Sequence, residues 1–346
     1  MKNKSIKIPK RKFKKTLIFS FFIFAFFIQL HADKIQCRWS GIEKIVAIGD
    51  IHGDYKNFVK ILKGTKLIDD KLQWTGGKVH LVQTGDIMDR GPEAKKAFDL
   101  LIKLEKGAEK AGGKIHALIG NHEEMNILGT AFNRERYVTV DQFISFLPDE
   151  YREKKDKDFR KKIKENASKE MVSDSSLDNN LRDYWKDLIK NDQEARKKYT
   201  NTFNKKYGKW ILEHNAVIKI NDIIFVHGGI SEKYSSMKLE DINNLLRTEL
   251  NSLPDKPEIV HERMGPLWYR GLAKTEEEEF KEEVDRILSN LNAKYMVIAH
   301  TPQKGNILSR FKGKIWIIDT GISDYYGGNL SALVIENGNF SKILFH

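Results

Sequence analysis

Carboxylates, an amide and imidazoles of metal-ligand type recur in this chain, each next to a short apolar run. Asp50 and His52 stand in GDIHG (49–53), Asp86 in GDIMDRG (85–91) and Asn121 in GNHEE (120–124). His227 follows in HGG (227–229) and His300 in AHTP (299–302). One such block is weak, because an aspartate at a strand end is usually a turn former and a lone histidine a satisfied polar residue. The ordered set is specific. Asp50 and His52 are two apart, so backbone alternation sends both to one side, able to grip one cation. Asp86 ends the next apolar run, and its two carboxylate oxygens can bridge two cations. Asn121 offers a neutral amide oxygen to the second cation and a contact for a bound phosphate. His227 and His300 complete that cation with imidazole nitrogen. Mixed nitrogen and oxygen ligation suits Mn, Fe, Zn or Co better than Ca or Mg. Two such ions about 3.5–4 Å apart acidify a bridging water and polarise a phosphoryl oxygen.

His122 directly follows Asn121. A neighbouring loop position aims it into the site but off the metals, where it can protonate a leaving alkoxide as general acid. Asp89 can hold that imidazole in the right tautomer and raise its basicity. Arg90 can fork two hydrogen bonds onto a phosphate. Arg270, in PLWYRG (266–271), is a second candidate phosphate clamp. His80, His116, His214, His261 and His346 lack this motif context and are expected to be ordinary satisfied polar residues.

The elements that must position these residues follow from hydrophobic patterning. Residues 44–48 (KIVAI), 79–84 and 114–119 are buried-strand patterns closed by turns. Helical patterns over 54–64 and 92–106 separate them, the latter opening at Pro92. This βαβαβ order predicts a parallel sheet with its functional loops at the strands' carboxyl ends. Residues 216–220 and 223–226 flank Asn221-Asp222, a hairpin-type turn, and further strands are expected at 295–299, 314–318, 330–335 and 340–345. These predict a second sheet packed on the first.

Residues 130–213 have no strand pattern and read as a charged helical insert, mostly solvated. Tyr184, Trp185, Phe203, Tyr207 and Trp210 are expected mainly to pack it onto the core, with a lid over the site as the sharper alternative. Glu276–Glu279 open an amphipathic helix, where negative charge suits the N-terminus.

The formal charge is +12, but residues 1–32 hold eight Lys or Arg and no acid. The rest is 52 basic against 48 acidic, or +4, too balanced to argue for nucleic acid. The basic stretch to Lys15 precedes a 15-residue apolar run, 16–30. That pattern predicts an export signal, too short for the roughly 20 residues that span a bilayer. Cleavage is expected after Ala32, with Leu30 a poor −3 residue; an uncleaved segment would anchor the protein to a membrane. The expected domains are therefore 1–32 as signal or anchor and 40–346 as the enzyme. The single cysteine, Cys37, excludes an intrachain disulfide.

The blocks GDIHG, GDIMDRG, GNHE and HGG resemble the phosphoprotein phosphatase (PPP) family of metallophosphatases, over about residues 44–335. HGGIS (227–231), VIAHTP (297–302), PLWYRG and DTGIS…YYGG (319–328) are most similar to its Shewanella-like phosphatase subgroup. The resemblance implies an α/β calcineurin-like metallophosphoesterase fold, with two packed β-sheets flanked by helices and a helical insert. It implies two transition metal ions and direct attack of metal-bridging hydroxide on a phosphate monoester, without a phosphoenzyme. It carries ligand roles onto Asp50, His52, Asp86, Asn121, His227 and His300, acid roles onto His122 and Asp89, and phosphate binding onto Arg90. Its substrates would be phosphorylated proteins, peptides or small phosphomonoesters, with phosphotyrosine favoured as in similar subgroup members. The chain departs from the eukaryotic members: Ile119 replaces their arginine, and residues 319–328 stand where their SAPNYC-type loop would be. Ser/Thr specificity, toxin sensitivity and regulatory subunits therefore do not transfer. The competing expectation is a dinucleotide polyphosphate hydrolase of the diadenosine tetraphosphatase type, which shares most of these blocks.

Overall fold

The computed structural model describes residues 35–166, 174–252 and 254–345. The expected export signal and His346 lie outside the described residues. The chain divides at Gln36, and Cys37–His346 form one unit. Among the described residues, no helix is long and apolar enough to cross a membrane.

Eleven strands are seen among the described residues: β1 (Arg38–Trp39), β2 (Lys44–Ile48), β3 (His80–Gln83), β4 (Lys114–Ala117), β5 (Val217–Ile220), β6 (Ile223–Val226), β7 (Tyr295–Ile298), β8 (Leu308–Arg310), β9 (Ile315–Ile317), β10 (Leu330–Glu336) and β11 (Asn339–Phe345). They build two sheets, ordered β11-β10-β2-β3-β4 and β1-β5-β6-β7-β9-β8. Within the first, β2, β3 and β4 are parallel, with Ile45 opposite His80 and Val82 opposite His116. Within the second, β6, β7 and β9 are parallel. Each sheet therefore presents three adjacent carboxyl ends, the place where an open α/β sheet has free loops and room for a ligand.

The parallel strands read as unbroken apolar runs because both faces are covered. Ile45, Val46, Ala47 and Ile48 are all buried. The helices Tyr55–Gly64 and Ala94–Lys110 connect β2 to β3 and β3 to β4. The second begins two residues after Pro92 and runs to Lys110, four residues beyond the 92–106 expected. The hairpin β5–β6 turns at Asn221, whose φ of 54° is left-handed, a conformation asparagine tolerates. Strands β1 and β8 were not foreseen; two or three residues are too few for an alternation pattern. The strands expected at 330–335 and 340–345 form, but as β10 and β11 they join the first sheet and not the second, β10 antiparallel to β2 and β11 antiparallel to β10, since strand patterning does not encode the partner.

Among the described residues, 131–212 hold helices and no strand, the helices including Val140–Phe146 and Gln193–Phe203. The insert is docked, not free. Phe98 of the Ala94–Lys110 helix meets Phe146, Phe203, Tyr207 and Trp210 at ring separations of 6.4, 6.0, 5.5 and 5.9 Å. Trp185 is buried, and Tyr184 stacks on Phe159 within the insert at 5.0 Å. These aromatics pack.

His80 and His116 are such a packed pair. Their Nδ1 and Nε2 atoms lie 3.0 Å apart under Trp39 of β1, whose ring is 4.3 Å from that of His116. One imidazole donates and the other accepts, so a second proton would set two N–H groups face to face. Burial pushes His80 down to about 4, with Lys114 adding to the effect. Burial also holds His116 well below the imidazole range, aided by His80, Lys114 and His214. Between the unfolded value and these lowered values the unfolded chain binds more protons, so stability is lost as pH falls from about 6.5 towards 4. The wild-type melting temperature should drop over that interval, and His116→Gln should drop less. An identical pH dependence in the two proteins would contradict this.

Candidate metal centre

The expected ligands all lie just past parallel strands. Asp50 and His52 follow β2, Asp86 follows β3 and Asn121 follows β4, while His227 follows β6 and His300 follows β7. All six side chains are buried. The structure brings them together around one oxygen, Asp86 Oδ2. His227 Nε2 is 3.4 Å from it and His52 Nε2 is 3.8 Å. His227 Nε2 also lies 2.9 Å from Asn121 Oδ1 and 3.1 Å from His300 Nδ1. On the other side Asp50 Oδ2 is 3.9 Å from His52 Nε2. The other Asp86 oxygen, Oδ1, accepts the His122 N–H at 2.9 Å.

The set fits cations. Two ligands each about 2.1 Å from one ion stand roughly 3.0–3.4 Å apart, which matches the Asn121, His227, His300 and Asp86 spacings. His52 Nδ1 faces Met88 O at 3.1 Å and His227 Nδ1 faces Thr84 O at 3.0 Å. Each carbonyl accepts that ring N–H, which leaves Nε2 as the lone-pair atom aimed inward. Burial, then the His122 charge, hold His52 down to about 3, so it is neutral as a ligand must be. Asp50 Oδ1 and His300 Nε2 are buried and receive no protein partner. Buried polar atoms are rarely left so without an ion or water.

Glycine and strain shape the loops. A Cβ on Gly120 would collide with Asp86, and one on Gly85 with the Gly120 backbone. His52, Asp86, Asp89, Arg90 and His300 all have left-handed φ, between 47° and 70°. Each costs about 1–3 kcal/mol, and such outliers cluster at functional sites. Glu123 supports the bend, accepting N–H groups of Asp86, Ile87 and Gly120 at 2.7, 2.9 and 2.9 Å.

His122 Nδ1 lies 2.7 Å from Asp89 Oδ2, and its Nε2 lies 3.8 Å from Asp86 Oδ2. Burial opposes its charged form, but the Asp86 and Asp89 carboxylates outweigh it and hold the imidazole above its ordinary value. Distance alone also groups His122 with His52 and Asp86 as possible ligands. Arg90 lies beside it, walled by Tyr137 at 4.0 Å, Tyr325 at 4.7 Å and Tyr326 at 5.8 Å. The Tyr137 ring in turn lies 4.5 Å from that of His122, and the Tyr326 ring 5.1 Å from that of His52. Arg270 Nη1 donates to His300 O at 2.6 Å and to Thr301 Oγ1 at 3.0 Å, so it braces the His300 loop from the second sheet.

Sequence reasoning missed four contributors. Asp319 follows β9, is buried, and bears on Asp50, whose carboxyl burial, then the Asp319 charge, hold well above the usual carboxylate range. Burial, then the nearby Asp86 charge, push it up to about 6. A carboxylate directly after the run 314–318 was the available signal. Asn126, Gln142 and Tyr199, which surround Asp89, had no such signal. The remaining histidines behave as expected: His214 Nε2 meets Glu105 at 2.6 Å, and His261 Nδ1 meets Glu124 at 2.8 Å.

Two groups of metal-type ligands gathered at the carboxyl ends of two sheets fit a metallophosphoesterase, and the chain belongs to the calcineurin-like phosphoesterase family, whose model matches residues 43–304. It is 30% identical to Shewanella-like protein phosphatase 1 of Plasmodium berghei, over 83% of this chain and 68% of that protein. It is 30% identical to Shewanella-like protein phosphatase 2 of Arabidopsis thaliana, over 84% of this chain and 74% of that one. The solved cold-active protein-tyrosine phosphatase of a psychrophilic Shewanella species matches with a TM-score of 0.66 at 27% identity, over 90% of this chain and 82% of that one. The chain is thus a metal-dependent phosphoric monoester hydrolase, and family and ligand groups together imply two metal ions.

Proposed function

We propose that the protein is an exported phosphatase of phosphorylated proteins or peptides that favours phosphotyrosine. The observation that carries the reading is the His122–Asp89 pair beside Asp86, with an arginine in an aromatic wall at its edge. Asp50, His52 and Asp86 would hold one cation, and Asp86, Asn121, His227 and His300 the other. When bound, the cations supply Lewis acidity to a water and to a phosphoryl oxygen. Arg90 and Arg270 orient the phosphate, and Asn121 adds a contact. His122 Nε2 gives its proton to the leaving oxygen while Nδ1–H stays on Asp89. Tyr325 is half exposed and Tyr137 lies close to both Arg90 and His122, so an aryl phosphate would find rings beside its own. Export rests on the basic and apolar N-terminal pattern.

The test compares initial rates on a phosphotyrosine peptide, a phosphoserine peptide and diadenosine tetraphosphate. The expected order places phosphotyrosine highest in kcat/KM; a higher value for the nucleotide would overturn the reading. Tyr325→Ala should lower kcat/KM for the phosphotyrosine peptide by roughly 2–12-fold, the worth of one aromatic pair of ~0.5–1.5 kcal/mol. An equal loss on phosphoserine would remove Tyr325 from aryl recognition.

A further inference from the structure

We propose that Gln142 and Tyr199, both from the helical insert, are positioning residues for proton donation by His122; this rests on the general-acid reading above. The Gln142 side chain grips Asp89 at two points. Its Oε1 accepts the Asp89 backbone N–H at 2.7 Å, and its Nε2 donates to Asp89 Oδ1 at 2.6 Å. The first bond fixes which end of the amide is oxygen. The second N–H of Nε2 reaches the Tyr199 hydroxyl at 3.0 Å. Tyr199 then donates to Asn126 Oδ1 at 2.8 Å, and Asn126 Nδ2 donates to Asp89 Oδ2 at 2.9 Å. The ring closes on Asp89 with every donor direction determined.

Gln142, Tyr199, Asn126 and Asp89 are all fully buried. Burying four polar side chains is costly unless each is satisfied, and a fully satisfied network holds its members in one arrangement. What this one holds is a residue with a left-handed φ of 69° and a carboxylate 2.7 Å from His122. The insert sets the clamp by its own packing. Tyr199 stacks between Phe143 at 5.3 Å and Phe203 at 6.2 Å, and Gln142 lies in the first turns of Val140–Phe146 after the Thr139 cap. The insert therefore does not merely cover the core; it holds the carboxylate that keeps the His122 proton on the side facing Asp86.

The test is leaving-group dependence. Tyr199→Phe deletes only a hydroxyl and keeps the ring, and Gln142→Leu removes the amide. Each is assayed as the full metal-loaded chain on a phosphoserine peptide, whose alkoxide needs a proton, and on p-nitrophenyl phosphate, whose phenolate does not. The expected result is a kcat on phosphoserine down by roughly tenfold, part of the ~10²–10⁴ that a positioned acid supplies. KM and metal content should change little, and the p-nitrophenyl rate should fall far less. An equal loss on both substrates, or none, in Tyr199→Phe overturns the proposal even if Gln142→Leu fails to fold. His122→Asn run in parallel separates the two failures. If it shows the leaving-group dependence and the insert variants do not, the clamp is wrong; if it too shows none, the acid reading falls and takes the clamp with it.

Discussion

Asp86→Asn is expected to lose metal and nearly all activity while keeping its fold. Asp86 Oδ2 is the atom on which both ligand groups converge, from His52 on one side and His227 on the other. Removing its charge would take away the anion that lies between the two candidate ligand groups. The rate should fall on the order of 10³–10⁴-fold, since each cation is worth several kcal/mol. The backbone should survive. Asp86 has a φ of 55°, and asparagine is among the residues that accept a left-handed conformation. Its Oδ1 bond to the His122 N–H can also be kept by the amide oxygen. Asp50, Asp86, Glu123 and Asp319 are four acids buried together. The rise in melting temperature on adding Mn²⁺ should shrink in the mutant. Elemental analysis with parallel melts checks this. A mutant with full metal and wild-type turnover would mean that Asp86 is not the shared ligand.

His122→Asn is expected to divide from Asp86→Asn in metal content. If His122 is the proton donor, both ions stay and turnover of a phosphoserine peptide slows by roughly 10²–10⁴-fold. The loss on an aryl phosphate should be smaller, because a phenolate leaves more easily than an alkoxide. The control matters because His122 also lies within reach of a ligand role with His52 and Asp86. Loss of one ion in the variant would move His122 into the ligand set and leave the proton without a donor. Unchanged turnover would remove the residue from the mechanism. The asparagine lacks the ring that packs on Tyr137 and His52, so a small fall in melting temperature is also expected.

How far the chain could be read in advance differs by element. The strands bearing ligands were legible because a parallel strand buried on both faces needs an unbroken apolar run, and KIVAI or IIFV allows little else. The first candidate ligands were legible as a set because glycines are needed where loop backbones meet, as Gly85 and Gly120 do. Asp319 was present in the same context but went unassigned as a site residue. Its part depends on β9 ending beside β2 across two sheets, and no local spacing encodes that contact. Strand β1 was hidden for a related reason: two residues earn a place in the sheet by covering His116 with Trp39.

The insert marks the boundary most clearly. Its helices and their charge were legible, as was the packing of its aromatics. That Gln142 and Tyr199 reach Asp89 was not, because a glutamine on a helix carries no mark of what it will face. From the sequence alone come the reaction class, the candidate ligand types and the strands that carry them, since metal chemistry restricts residue type and close backbone contact demands glycine. Only the tertiary structure decided which carboxylate oxygen faces both ligand groups, which acids crowd it and which distant side chains hold Asp89 against His122, because those depend on how two sheets and an insert meet in space.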